Sequence, residues 1–321
     1  MTSDRREPET GTTNRTLNCD GEVHDCAGGD CGDQLVGRTE SPKNLESDKV
    51  NQKRFPVIEL FGPVIQGEGS QAGNQTMFIR FGGCDFRCQK CDSLHAVIPQ
   101  AVAKHAAYLT TDDIVTKLDL VRLETGVKWV TFSGGNPCMH KLDELVERLT
   151  YLGFYINVET QGTLAPEWLT HCTTVTVSPK SMGMGEKFNE KAYRKFLKVV
   201  GGQRPVCVKV VVFSAQDLEF ALQIESITNH VYSEELPYCY NDAVHGGFAF
   251  YLSLGNPYPP VLDDDFNLVD DPSIMDPSNL VSRLLSDYAS MCEEVLPDPR
   301  LKNWRFLPQL HVLAYGNEAK R

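Results

Sequence analysis

Cys84, Cys88 and Cys91 are spaced C-x3-C-x2-C within FIRFGGCDFRCQKCDSLHA, between an apolar run and a polar loop. Thiolates gathered this tightly hold metal, and their number selects the arrangement. A structural zinc ion would take His95 as its fourth ligand. A ferredoxin-like carrier would need a fourth cysteine for its cluster, and none lies nearby. A four-iron cluster held by three thiolates leaves one iron open to chelate a small molecule. The spacing alone leaves zinc and the open cluster both standing.

Other polar groups fall at the ends of apolar runs. Ser133-Gly134-Gly135-Asn136-Pro137 follows KWVTF, and paired glycines there permit positive φ and close backbone approach to a ligand. Glu159 ends FYINV, and Ser178-Pro179-Lys180-Ser181 follows TTVTV. Each, alone, reads equally as a turn, a cap or a solvated lysine. Arg80 sits in the otherwise apolar FIRFG, four residues before Cys84, where a guanidinium can fork onto a carboxylate. QGEG, residues 66–69, precedes that run. Gln309 and His311 fall in NWRFLPQLH, which reads as a last strand.

These groups need a scaffold that brings successive strand ends to one rim. From Phe55 onward, β-rich runs alternate with amphipathic stretches. TMFIRF, KWVTF, FYINVET, TTVTVS, VCVKVVVF and FAFYLSL read as strands. Helical spacing marks TDDIVTKLDLVRL, HKLDELVERLTYLG (closed by Gly153), NEKAYRKFLKVV, SAQDLEFALQIESI and PSNLVSRLLSDYASMCEEVL. That rhythm predicts an α/β fold with parallel strands and crossover helices: an incomplete, open β/α barrel of about six strands, with its chemistry at the carboxyl ends. Residues 54–321 form this catalytic domain. Residues 1–53 are polar, without aliphatic periodicity, and read as a disordered tail carrying Cys19, Cys26, Cys31 and His24.

Composition narrows the classes. In 321 residues, 41% hydrophobic and 23% charged content are those of a soluble globular protein, and the net charge of −12 disfavours a nucleic-acid-wrapping surface. No apolar run approaches the ~20 residues that span a bilayer. The N-terminus carries no secretion pattern, so the eleven cysteines read as free thiols and metal ligands in a cytoplasmic protein. Cys138, Cys172, Cys207, Cys239 and Cys292 read as small buried apolar residues. Two stretches, 226–247 and 257–273, are longer than a βα loop requires.

The C-x3-C-x2-C spacing resembles that of the radical S-adenosylmethionine enzymes, and SGGNP resembles their GGEP segment, with Asn136 where Glu is usual. The likeness then becomes more specific. VIQGEGSQAGNQTMFIRFGGCDFRCQKCDS, VTFSGGNP, NVETQGT, VTVSPKS and FLPQLHVLAYGNE, in that order, resemble the 7-carboxy-7-deazaguanine synthases from about Ile58 to Glu318. The resemblance implies ring contraction of 6-carboxy-5,6,7,8-tetrahydropterin to 7-carboxy-7-deazaguanine with loss of ammonia, S-adenosylmethionine being regenerated and magnesium assisting. It implies a [4Fe-4S] cluster on Cys84, Cys88 and Cys91. S-adenosylmethionine would meet Lys90, Asp92, Gly134, Gly135, Asn136, Glu159, Ser178, Pro179, Lys180, Ser181 and Gln309. The substrate would meet Ile65, Gln66, Gly67, Glu68, Arg80, Ser133 and His311, and magnesium would meet Ser93, where the family has Thr. The implied partner is an external reductase of flavodoxin or ferredoxin type, with no nucleic acid or membrane, in a homodimer. A radical activase and a non-catalytic Cys3His zinc module are the alternatives.

Overall fold

A computed structural model describes residues 53–201, 205–236, 248–271 and 279–317. The expected disordered tail, apart from Lys53, lies outside the described residues, as do Cys239 and the later part of the 226–247 stretch.

Nine strands form one sheet. In chain order they are β1 (Arg54–Ile65), β2 (Gln75–Phe81), β3 (Ala107–Thr110), β4 (Trp129–Gly134), β5 (Tyr155–Thr160), β6 (Thr174–Val177), β7 (Val206–Val212), β8 (Phe248–Leu254) and, last, β11 (Trp304–Leu307). The order across the sheet is β11-β8-β7-β6-β5-β4-β2-β1-β3, so β11 and β3 are unjoined edges and the barrel is open. The seven strands β2, β4, β5, β6, β7, β8 and β11 run parallel. β1 pairs antiparallel with both β2 and β3. A separate hairpin, β9 (Val261–Leu262) with β10 (Leu268–Val269), lies within the described part of the 257–273 stretch.

The central strands are nearly continuous apolar runs because both faces are covered. In β7 every residue but Val211 is buried. The covering helices include α3 (Thr111–Thr125), α4 (Asp143–Tyr151), α5 (Glu190–Val200), α6 (Ala215–His230) and α7 (Leu280–Val295), after the short α1 (Leu94–Val97) and α2 (Pro99–His105). α3 starts on a capping box between Thr110 and Asp113 and ends at Gly126 in the left-handed region. α5 buries Tyr193, Phe196, Leu197 and Val200, a stripe at i, i+3, i+4 and i+7. Each such side chain contributes roughly 1.5–3 kcal/mol of burial. Gly153 closes the turn after α4 at φ +77°.

The expected last strand stops at Leu307, and Gln309 and His311 are not on it. Gln309 is the N-cap of α8 (Leu310–Tyr315) and His311 is in its first turn. The apolar spacing of LPQLHVLAY suits a short helix, with Pro308 breaking the strand. Among the described residues no helix is long and apolar enough to cross a membrane.

Candidate active site

At the carboxyl ends of the parallel strands lies a cavity of about 230 Å³. Its wall near β2 is the cysteine loop. Gly135 N donates to Phe81 O at 2.9 Å and Asn136 N to Gly83 O at 2.7 Å, stitching the turn after β4 onto the start of that loop. Both glycines of the turn are required by this contact. A Cβ on Gly135 would sit 2.0 Å from Gly83 O, and one on Gly134, at φ +118°, 2.2 Å from Phe81 O.

Cys84, Cys88 and Cys91 all line the cavity. Burial raises all three thiols, Cys88 to about 11 and Cys91 to about 12. Backbone N–H of Phe86 (3.4 Å) and Gln161 Nε2 (3.6 Å) donate to Cys84 Sγ. Donors aimed at sulfur suit a thiolate bound to iron, whose charge they stabilise. The donor set therefore fits a [4Fe-4S] cluster. His95 does not complete a zinc set: its Nε2 lies 3.5 Å from Glu59 Oε2.

The opposite wall is built on Glu68. Its Oε2 accepts from Lys209 Nζ of β7 at 2.5 Å, and its Oε1 from Ser253 Oγ of β8 (3.1 Å) and Gln309 Nε2 (2.9 Å). Burial by itself would raise the Glu68 carboxyl, but the Lys209 and His311 charges and the hydrogen bonds from Lys209 and Gln309 hold it well below the usual range. Burial likewise disfavours charge on Lys209, yet Glu68 and Glu159 keep its ammonium protonated. Gly67 lies against α8 so closely that a Cβ would meet His311 Nδ1 at 2.1 Å, while Leu310 N donates to Gly67 O at 3.1 Å. Glu159 bridges the two walls: Oε1 accepts from Gln66 Nε2 (3.0 Å) and Oε2 from Ser133 Oγ (2.8 Å).

Between the walls stands Arg80. Its Nε donates to Glu59 Oε2 at 2.7 Å, and its Nη1 to Ser93 Oγ at 2.8 Å. Burial would raise Glu59, but His95 and the Arg80 charge bring it down to about 2. Ser93 Oγ in turn donates to Asp92 Oδ1 at 2.9 Å. Lys90 Nζ lies 3.8 Å from the centre of the Phe213 ring, and Lys180 Nζ donates to Ser178 Oγ at 3.0 Å.

All the cluster, cofactor, substrate and magnesium residues that the resemblance implies line this cavity except Asn136, Pro179 and Ser181. Asn136 is fully buried. Its Oδ1 accepts from Thr160 Oγ1 and Cys138 N, and its Nδ2 donates to Asp85 Oδ1 at 2.8 Å. Ser181 Oγ donates to the buried Asp217, which also takes Phe213 N and Ser214 N and so fixes the loop after β6 to the turn after β7. Sequence reasoning passed over Glu59, Lys209, Ser253 and Phe213. The one detectable signal was a lysine inside the apolar VCVKVVVF. Pro259, Pro260 and Leu268 bring the 257–273 stretch to the cavity as well. Of the scattered cysteines, Cys138, Cys172 and Cys207 are buried and Cys292 is half-buried.

A parallel open sheet with three cysteines after its first parallel strand is the arrangement of a radical enzyme, and residues 78–179 match the model of the radical SAM superfamily. The 7-carboxy-7-deazaguanine synthase of Bacillus subtilis (strain 168) is 35% identical over 270 residues, 83% of this chain and 98% of the relative. That of Bacillus cereus is 32% identical over 267 residues, again 83% and 98%. The crystal structure of QueE from Escherichia coli has a TM-score of 0.50 at 21% identity, covering 80% of this chain and 95% of that one, and shares the fold. This chain belongs to the 7-carboxy-7-deazaguanine synthase family.

Proposed function

We propose that the cavity binds 6-carboxy-5,6,7,8-tetrahydropterin beside S-adenosylmethionine and contracts its ring to 7-carboxy-7-deazaguanine with loss of ammonia. The observation that carries the reading is the placing of Arg80 and Glu68 in one cavity with Cys84, Cys88 and Cys91. When bound, the cluster and S-adenosylmethionine supply a 5′-deoxyadenosyl radical for hydrogen abstraction, and the protein's part is to hold, orient and exclude water.

Arg80 is held at Nε and Nη1 by Glu59 and Ser93. Its remaining donors suit the substrate carboxylate. A charged hydrogen bond of this kind is worth about 1.5–3 kcal/mol. Glu68, kept anionic by Lys209, accepts from the amino-pyrimidinone edge. Three of its four lone-pair directions are already filled by Lys209, Ser253 and Gln309, so it takes one bond without rearrangement and a second on release of Gln309 or Ser253. The peptide groups of Ile65, Gln66 and Gly67 meet the ring. Lys180 pairs with the methionine carboxylate, and the backbone of Gly134 and Gly135 approaches its amino group. Magnesium would find hard oxygens at Ser93 and Asp92, side by side on the wall. An external one-electron reductase and a homodimer complete the reading. The test is an anaerobic assay with the carboxy-tetrahydropterin, S-adenosylmethionine, reductant and magnesium, read by product mass. Recovery of substrate unchanged, with the iron in place, would refute it.

A further inference from the structure

The charge of the chain is unevenly spread. Residues 180–198, KSMGMGEKFNEKAYRKFLK, carry six basic and two acidic side chains in a protein of net charge −12. The segment runs from the strand end after β6 through the turn at Met182–Met184 into α5. Lys187, Lys191, Lys195 and Lys198 are exposed. Lys191, Lys195 and Lys198 stand at i, i+4 and i+7, on one face of the helix. Arg194 and Lys198 are paired with Glu190 and Glu235. Lys187, Lys191 and Lys195 make no ion pair among the described residues, so their charge is open to a partner.

This ridge is joined to the cysteine loop. Gln89 N donates to Met184 O at 2.9 Å, and Arg87 N to Glu186 Oε1 at 2.5 Å. Gly185 packs against the Gln89 side chain so closely that a Cβ would meet Gln89 Cγ at 2.7 Å. Met182, at the head of the ridge, is 77% exposed. Arg87 is also exposed, and its Nη1 donates to the carbonyls of Cys84 and Phe86. The acids nearby are largely committed. Glu186 is held by Arg87 N, and exposed Asp85 accepts from Asn136, Gln161 and Thr163. Asp92 accepts from Ser93. An apolar side chain with a basic flank, joined through Gln89 and Arg87 to the cysteine loop, is what an electron carrier with an acidic face needs: steering by charge, then close contact.

We propose that Met182, Arg87 and the lysines 187, 191 and 195 form the docking surface for an acidic one-electron donor protein. This rests on the functional reading above and says where its reductase binds. In the step concerned, one electron leaves the donor's reduced flavin, which is oxidised by one electron. The same electron reduces the cluster held by Cys84, Cys88 and Cys91, and no bond is made or broken.

The test uses the reconstituted full chain, with an acidic flavodoxin as probe and dithionite as the small reductant. In the Lys187→Glu, Lys191→Glu, Lys195→Glu triple variant, the bimolecular rate of cluster reduction by flavodoxin should fall about tenfold or more at low ionic strength. Turnover driven by dithionite should stay at the wild-type value. The wild-type rate with flavodoxin should fall as salt rises, and the variant's should be nearly flat. Equal flavodoxin rates in both proteins would overturn the assignment, as would an equal loss with dithionite. Salt-sensitive binding of transfer RNA to the ridge without any change in electron delivery would overturn it too. Wild-type protein that bleaches normally with flavodoxin yet converts no pterin would refute the functional reading and leave the docking surface standing.

Discussion

Lys209 Nζ lies 2.5 Å from Glu68 Oε2, and the two side chains are only 8% and 11% exposed. The pair joins β7 to the QGEG loop, which precedes β2 in the chain and meets it only through the fold. Lys209→Met should destabilise the apo protein by about 3–5 kcal/mol, since it strands a buried charge. Adding Glu68→Gln should recover much of that loss, because the stranded charge goes too. Denaturant unfolding of the wild type, both single variants and the double variant measures it. Additive losses would show that the two residues do not act as a pair.

Glu59 makes the corresponding contact for Arg80. Its folded value of about 2 lies below the ordinary 4.5. A depressed carboxylate contributes stability above the unfolded value and loses it as pH falls toward the folded one. The window is therefore about pH 4.5 down to about pH 2, and the contribution, at 1.36 kcal/mol per unit, is about 3 kcal/mol. Glu59→Gln should lower Tm at pH 7 and should lose less stability than wild type between pH 5 and pH 3. Parallel acid curves for the two proteins would show that Glu59 carries no such linkage.

The parallel part of the sheet was legible because its strands are short, largely apolar runs, and because α3 and α5 begin on the side-chain caps Thr110 and Asn189. β1 was not. RFPVIELFGPVI contains two prolines and a glycine, which argue against a strand. It tolerates them through register shifts between Val57 and Glu59 and between Phe61 and Val64. With β1 missed, Glu59 had no visible partner, although it lies directly across from Arg80 in that ladder. The cysteines and strand-end loops were legible from local spacing. Lys209, Ser253 and Phe213 were not, because they reach the cavity only through non-local pairing of β7 and β8. Asn136 was placed on the correct turn, but its full burial depends on Thr160 and Asp85, which no local pattern links to it.

The turn at Gly134–Gly135 gives a sharp comparison between two glycines. Gly135→Ala puts a methyl 2.0 Å from a backbone oxygen, which cannot swing aside. The cysteine loop must then leave the end of β4. Gly126, at φ +76°, faces open space where a methyl would sit, so Gly126→Ala carries only the cost of a left-handed alanine, about 1 kcal/mol. Gly135→Ala should lower iron content after reconstitution by several-fold, and Gly126→Ala should leave it unchanged. Full iron loading in Gly135→Ala would mean that the loop is positioned without this contact.

The identity of the metal separates the radical enzyme from a zinc module, and it rests on which side chains bind. The thiols of Cys84, Cys88 and Cys91 line the cavity; His95 lines it too, but its Nε2 lies 3.5 Å from Glu59 Oε2. Cys88→Ala should therefore abolish both the brown absorption of the anaerobically reconstituted protein and its turnover. His95→Gln should keep the iron content and visible spectrum of the wild type. Cys172→Ala, at a fully buried position among apolar neighbours, should keep them as well and lose only stability. Metal analysis alongside the spectrum decides the matter. One tightly held zinc per chain that disappears in both Cys88→Ala and His95→Gln, with no iron taken up by the wild type, would remove the cluster from the site and the chemistry with it.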